Sequence, residues 1–241
     1  MKKRIKLIGI ILAALLVVAA LGFYIWTRVA TYPAFSEAAT LAQASETDDG
    51  WYVHEPEGEP TVGFVFYPGG LVEPAAYSPL MEQLSGGGVL AVIVPMPLDL
   101  AVFGIGRADK VLDAYPEIDR WVIGGHSLGG AMAAQFVSSN PETFDGMVLL
   151  ASYPADSTDL SEIPAQVLSI YGTEDGVTGD VFEESLNRLP QGTVLQVIEG
   201  GNHAQFGNYG PQKGDGTPSV SREDQQQQTT SAILDLVEAL K

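Results

Sequence analysis

The stretch Trp121-Val122-Ile123-Gly124-Gly125-His126-Ser127-Leu128-Gly129-Gly130 decides how the rest of the chain is read. An apolar, β-branched run leads into it, and the helix-length segment Leu128–Ser139, rich in small residues, leads out. Between them Gly125-His126-Ser127-Leu128-Gly129 fits G-x-S-x-G, which sets a serine on a sharp strand-to-helix turn with its hydroxyl above the sheet. Gly125, Gly129 and Gly130 let such a turn close without clashes. The N-terminus of the following helix favours negative charge developing beside it. The pattern is short and glycine is abundant, so its weight comes from the flanks. A glycine-rich turn with an incidental serine is the bland alternative.

Working outward, short apolar runs alternate with helix-length segments. The runs are Val62–Tyr67, Val89–Val94, Trp121–Gly125, Met147–Ala151, Gln166–Tyr171 and Thr193–Ile198. They are continuous rather than alternating, as in strands of a parallel sheet covered on both faces. Helices are expected over Pro74–Leu84, stopped by Gly86-Gly87-Gly88, and over Gly106–Ala114, Leu128–Ser139, Thr178–Leu189 and Arg222–Leu240. Strand and helix in alternation define an α/β layered fold with a mostly parallel sheet of about 6–8 strands and helices on both faces. Gln225–Gln228 is a short glutamine run inside the last helix, and no internal repeat is present.

A serine nucleophile needs a base, and the chain offers three histidines. His126 adjoins Ser127, but neighbours on a tight turn point apart, so it is expected to pack beside the strand. His54 precedes the sheet core and suits a surface or edge position. His203, in Gly200-Gly201-Asn202-His203, follows the last apolar run and is the candidate base. The base in turn needs a carboxylate to orient it. Asp175 follows the run Gln166–Tyr171, with Glu174 as its neighbour and competitor. Oxyanion donors would be the N–H of Leu128 and one from Tyr67-Pro68-Gly69-Gly70-Leu71. Pro68 has no N–H to give, which leaves Gly70 or Leu71.

The N-terminus reads differently. Leu7 to Trp26 carries no charge and no proline, and as a helix it spans roughly 30 Å, the thickness of a bilayer core. Lys2, Lys3, Arg4 and Lys6 precede it; Phe23, Tyr24 and Trp26 close it, a basic flank followed by an aromatic belt. Residues 1–26 are thus expected as basic flank and transmembrane signal anchor, N-terminus cytoplasmic and body outside. Cleavage at Ala20-Leu21-Gly22 would instead release a secreted body. Residues 27–50 read as a tether or outer helix, and residues 51–241 as the folded domain. The 241 residues carry 12 Lys+Arg and 30 Asp+Glu, a net charge of −18. Four of the basic residues lie in the first six positions, so from Thr27 onward 8 basic residues face 30 acidic ones, a net −22. Such a body repels phosphate backbones, and nucleic acid is excluded as a partner. With no cysteine there is neither a thiol nucleophile nor a thiolate metal site.

These stretches together resemble the α/β-hydrolase fold, specifically the small cap-less bacterial serine hydrolases related to dienelactone hydrolases. The likeness runs from about Thr61 to Leu240. It rests on Tyr67-Pro68-Gly69-Gly70, Val94-Pro95-Met96-Pro97, Gly124-Gly125-His126-Ser127-Leu128-Gly129-Gly130, Tyr171-Gly172-Thr173-Glu174-Asp175 and Gly201-Asn202-His203-Ala204-Gln205-Phe206-Gly207. The order Ser127, Asp175, His203 is that group's order of nucleophile, acid and base. Two departures stand out. Dienelactone hydrolases proper use a cysteine nucleophile, and the usual His-Gly of the oxyanion loop is Pro68-Gly69 here.

What the resemblance implies is a serine hydrolase in which Ser127 attacks, His203 takes the proton, Asp175 holds the imidazole, and Leu128 with Gly70 or Leu71 receives the oxyanion. No cofactor or metal is required. The stretch from Ala151 to Gln166 is too short for a cap, so an open site is expected, bordered by Asp99–Phe103 and by the loop Asn208–Val220. An open acidic site favours neutral or cationic small ester-like substrates. The alternatives are a non-catalytic envelope protein that keeps the fold as a binding scaffold, and an acyltransferase using the same residues. The bilayer, through residues 7–26, is the remaining expected partner; no protein partner is indicated.

Overall fold

The computed structural model describes residues 2–179 and 181–241. It contains two compact units, residues 1–31 and 32–241. In the first, helix α1 (Lys2–Ala30) is long and apolar enough to cross a membrane: within Lys6–Ala30 an 18-residue window has a mean hydropathy of 2.8. Its side chains from Leu7 to Ile25 are exposed. Met1 of the expected basic flank lies outside the described residues.

The second unit is built on a seven-stranded sheet. Its strands are β1 (Tyr52–His54), β2 (Val62–Tyr67), β3 (Leu90–Ile93), β4 (Arg120–His126), β5 (Gly146–Leu150), β6 (Gln166–Gly172) and β7 (Val194–Ile198). Their order is β1-β3-β2-β4-β5-β6-β7, parallel throughout except for β1 against β3. The continuous apolar runs have the expected cause, since alternate residues feed two separate cores. Phe64, Phe66, Val122, Leu150 and Ile170 pack under helices α3 (Ser78–Gly86) and α7 (Arg222–Leu240). Val65, Tyr67, Ile123, Leu149 and Val167 pack under α4 (Ala108–Ala114) and α5 (Leu128–Ser139). Burying both faces of the inner strands removes far more apolar area from water than a half-solvated sheet of the same length would. The expected run Thr193–Ile198 departs from this: as the edge strand β7 it leaves Val194 and Leu195 exposed.

Helix ends depart from expectation in small ways. The segment Pro74–Tyr77 is a 3-10 turn leading into α3, and Ile105–Arg107 is another before α4. Of the helix expected over Thr178–Leu189, Asp180 lies outside the described residues. The rest is a short α6 (Val181–Ser185) and a 3-10 turn, Leu186–Arg188. The β5–β6 connection, residues 151–165, holds neither strand nor helix. Strand β1 has no counterpart among the expected runs: three residues pairing only at the sheet edge leave too short a pattern to read.

Residues 32–50 are packed onto the second unit. Ser36–Ser45 form helix α2, which buries Ala38 and Ala42. Just before it the chain is stitched to two loops. Tyr32 N–H donates to Leu71 O at 2.8 Å and Glu73 N–H donates back to Tyr32 O at 3.0 Å. Ala34 N–H donates to Glu73 Oε2 at 2.8 Å, and Phe35 N–H to Asn208 O at 2.8 Å.

Candidate active site

Sheet register explains why distant residues meet. Tyr67 pairs with Gly125 and His126 with Leu150, so β2, β4 and β5 end side by side. Gly172 pairs with Ile198, which aligns the ends of β6 and β7. In open α/β sheets the loops at these carboxyl ends form the binding crevice.

Ser127 sits between β4 and α5 with φ 52° and ψ −123°, a left-handed conformation that costs a non-glycine residue about 1–3 kcal/mol. Bonds on all sides hold it there. Its N–H donates to Leu150 O at 3.0 Å, and its carbonyl accepts from Ala131 N–H at 3.1 Å and from the Ser152 hydroxyl at 2.7 Å. A Cβ on Gly129 would overlap the carbonyl oxygens of Tyr67 and Pro68, so only glycine lets the turn nest against the end of β2.

His203 follows β7. Its Nδ1 lies 2.9 Å from Asp175 Oδ2, and both side chains are buried, at 0% and 2% exposure. The other Asp175 oxygen accepts from the N–H groups of Val177 at 2.8 Å and Thr178 at 3.0 Å. Burial pushes the Asp175 carboxyl up. The hydrogen bond and charge of His203 and the two N–H donors outweigh burial and leave it below the ordinary carboxylate value. The neighbouring Glu174 side chain is exposed, and only its backbone is engaged, through Gly201 O and Gly216 N. Among the described residues His203 Nε2 is buried without a hydrogen-bond partner. His203 and Ser127 line one cleft of about 290 Å³ together with Leu128, Ala131, Tyr153 and Val177. Among the described residues no Asp, Glu, Lys or Arg lines it.

The two oxyanion candidates are distinguished by their hydrogen bonds. Leu71 N–H is already committed, donating to Asp99 O at 2.7 Å. Gly69 N–H is committed to the Tyr77 hydroxyl at 3.1 Å. Gly70 N–H has no such partner, and Leu128 opens α5, where N–H groups lack helical acceptors. A Cβ on Gly70 would stand 2.8 Å from Leu128 Cδ2, so the two donors' residues are in contact. Neither expected border lines the cleft. Asp99 braces the loop of Gly70 and Leu71 through its carbonyl, and the loop 208–220 braces the turn that carries His203.

That second brace was invisible to sequence reading. Asp215 accepts the N–H of His203 at 3.1 Å on one oxygen and of Ala204 at 2.8 Å on the other. It also receives Gly176 N–H, from the turn that carries Asp175, at 3.4 Å. Gln225 closes a two-point bond on Asn202, accepting its N–H at 3.0 Å and donating to its carbonyl at 2.8 Å. Gln226 Nε2 donates to Gln205 O at 3.1 Å. The first half of the glutamine run thus grips the turn that carries His203. Arg222 donates to the carbonyls of Ala204, Gly207 and Tyr209. The remaining histidine, His54, occupies the edge strand β1 yet is buried, with Nδ1 2.8 Å from Glu82 Oε2.

A doubly wound sheet with a strained serine after its central strand defines an α/β hydrolase. Residues 63–227 match the Alpha/beta hydrolase family, and the chain belongs to it. Among curated relatives it is similar to the pimeloyl-[acyl-carrier protein] methyl ester esterase of Shewanella sp. (strain MR-7), at 33% identity over 118 residues. That match spans 44% of this chain and 42% of the esterase, less than half of either. The fold is shared with a thermophilic esterase of Thermogutta terrifontis (TM-score 0.57, 16% identity, 78% of this chain and 87% of that one). It is shared too with the esterase domain of a Rhodothermus marinus protein (TM-score 0.60, 11% identity, 80% and 95%). Est1E of Butyrivibrio proteoclasticus in complex with ferulic acid has a TM-score of 0.59 at 12% identity, over 78% and 95% of the two chains.

Proposed function

We propose that this protein is a serine esterase held at a membrane by α1, with its catalytic unit outside the cytoplasm. The observation that carries the chemistry is the Asp175–His203 bond at 2.9 Å beside a strained Ser127 in the same cleft. Ser127 Oγ attacks the ester carbonyl carbon while His203 Nε2 takes its proton. Asp175 fixes the imidazole through Nδ1 and stabilises the cation that forms. The N–H groups of Leu128 and Gly70 receive the negative oxygen. The imidazolium then gives its proton to the departing alcohol. Water, deprotonated by the same nitrogen, splits the acyl-enzyme to a carboxylic acid and free Ser127.

The acidic body favours small neutral or cationic esters over anionic ones. The short β5–β6 connection supports an uncapped site of the kind found near dienelactone hydrolases. The orientation of α1 follows from the basic residues before it. Full-length protein in membranes should hydrolyse short p-nitrophenyl esters and take a fluorophosphonate label, and Ser127→Ala should do neither. Label on Ser127→Ala would overturn the nucleophile. Protection of the catalytic unit from external protease in intact cells would overturn the topology.

A further inference from the structure

Behind the serine turn lies a buried side-chain pair that the reaction above does not use. Tyr77 ends the 3-10 turn after the oxyanion loop, and it is fully buried. Its hydroxyl accepts Gly69 N–H at 3.1 Å and lies 2.8 Å from Nδ1 of His126. A Cβ on Gly69 would fall 2.7 Å from both of those side-chain atoms, so the loop can close on them only as glycine. The His126 ring in turn packs against His203, with ring centroids 4.5 Å apart. Burial and then the adjacent His203 hold the His126 imidazole well below its ordinary value, against the pull of Asp175. Burial pushes the Tyr77 phenol up. Both groups are therefore neutral at physiological pH.

Proton accounting fixes the direction of the bond. With the phenol proton given to Nδ1, every hydrogen-bonding atom of the pair is used except the Nε2–H of His126, which makes no full hydrogen bond but is drawn to the backbone of His203. With Nδ1 protonated instead, both the phenol proton and the Nε2 lone pair are left buried and unmatched, and buried unmatched groups are costly.

We propose that Tyr77 and His126 form a positioning pair, in which Tyr77 O–H donates to Nδ1 of His126 and one rigid unit sets both the oxyanion loop, through Gly69, and the ring of His203. The catalytic half of this inference rests on the esterase reading; the hydrogen-bond half does not. Neither residue touches substrate. Their work is to keep Gly70 N–H and His203 at fixed separation, and misplacement by about 1 Å at such a site costs on the order of 10²-fold in rate.

The test uses the full-length protein. Tyr77→Phe, which keeps the ring and deletes the bond, should lower kcat on a short p-nitrophenyl ester by about tenfold or more with KM nearly unchanged, the mark of an interaction made in the transition state. It should weaken a trifluoromethyl ketone, whose adduct carries the oxyanion, by a similar factor. His126→Asn offers an acceptor where Nδ1 stood and should restore most of the rate that His126→Leu loses. Tyr77→Phe/His126→Leu should be no slower than the slower single variant, because both act through one unit. Nitrogen NMR of labelled histidine should find His126 protonated at Nε2 alone. Wild-type kinetics in Tyr77→Phe, or equal losses in His126→Asn and His126→Leu, would overturn the pair's role. A wild type that hydrolyses no ester and takes no fluorophosphonate would overturn the esterase reading and with it that role. The NMR result, which needs no turnover, separates that failure from a wrong hydrogen-bond assignment.

Discussion

Leu71 and Asp99 both hold positive φ, 54° and 56°, and the Leu71 N–H donates to the Asp99 carbonyl at 2.7 Å. Each conformation costs a non-glycine residue about 1–3 kcal/mol, so the bond between them closes a strained frame around Gly70. That frame aims the one uncommitted N–H of the loop.

Gly70→Ala should disturb this aim without unfolding the protein. The new Cβ must displace the Leu128 side chain from 2.8 Å, which moves one donor's residue against the other. We expect kcat to fall on the order of 10²-fold with the denaturation midpoint nearly unchanged. Steady-state kinetics and urea unfolding check the two halves separately.

Gly129→Ala should behave in the opposite way. Its Cβ collides with backbone carbonyls of Tyr67 and Pro68, which cannot rotate aside as a leucine tip can. Overpacking of this kind costs about 1–3 kcal/mol or more. A lowered unfolding midpoint together with lost fluorophosphonate labelling is the expected result.

Asp215→Ala would strip the acceptor from the N–H groups of His203 and Ala204. Leaving such groups unmatched costs about 1–3 kcal/mol. A loosened His203 should lower kcat about tenfold or more while KM stays close to wild type. Asp215→Asn, which keeps one acceptor oxygen, should lie between.

Folding stability should respond to mild acid through His126. Its folded-state value is depressed, so the unfolded chain takes up a proton, at about pH 6.5, that the folded chain refuses. Stability is therefore full above that pH and falls as pH drops towards the depressed folded value, by up to about 1.4 kcal/mol per pH unit. His126→Asn should lose less stability than wild type between pH 7.5 and 5.5 in urea unfolding. The contribution of Asp175 is likewise depressed but is lost only below about pH 3.9, outside that interval.

The readable parts of the sequence were those whose side chains carry a pattern. Buried strands such as Val62–Tyr67 and Gly146–Leu150 carry no charged or hydrogen-bonding aliphatic side chain, because both faces are covered. The strained Ser127 is announced by the glycines its turn requires. The braces left no such mark. Asp99 acts through its carbonyl, and Asp215 through acceptance of backbone N–H groups from a loop of Gly and Pro. The Tyr77–His126 contact joins positions 49 apart that share nothing local. Strand β1 escapes the pattern because it is three residues long and lies at the sheet edge, against β3.

The stitching of Tyr32–Phe35 gives the chain's route into the second unit a consequence for processing. Backbone bonds from this short strap reach Leu71, next to Gly70, and Asn208, a few residues beyond His203. On the proposed reading, a protease that frees the second unit with both loops still tied must therefore cut before Tyr32. A cut after Phe35 would release a domain that keeps its sheet, its serine and its histidine, with both of their supporting loops untied.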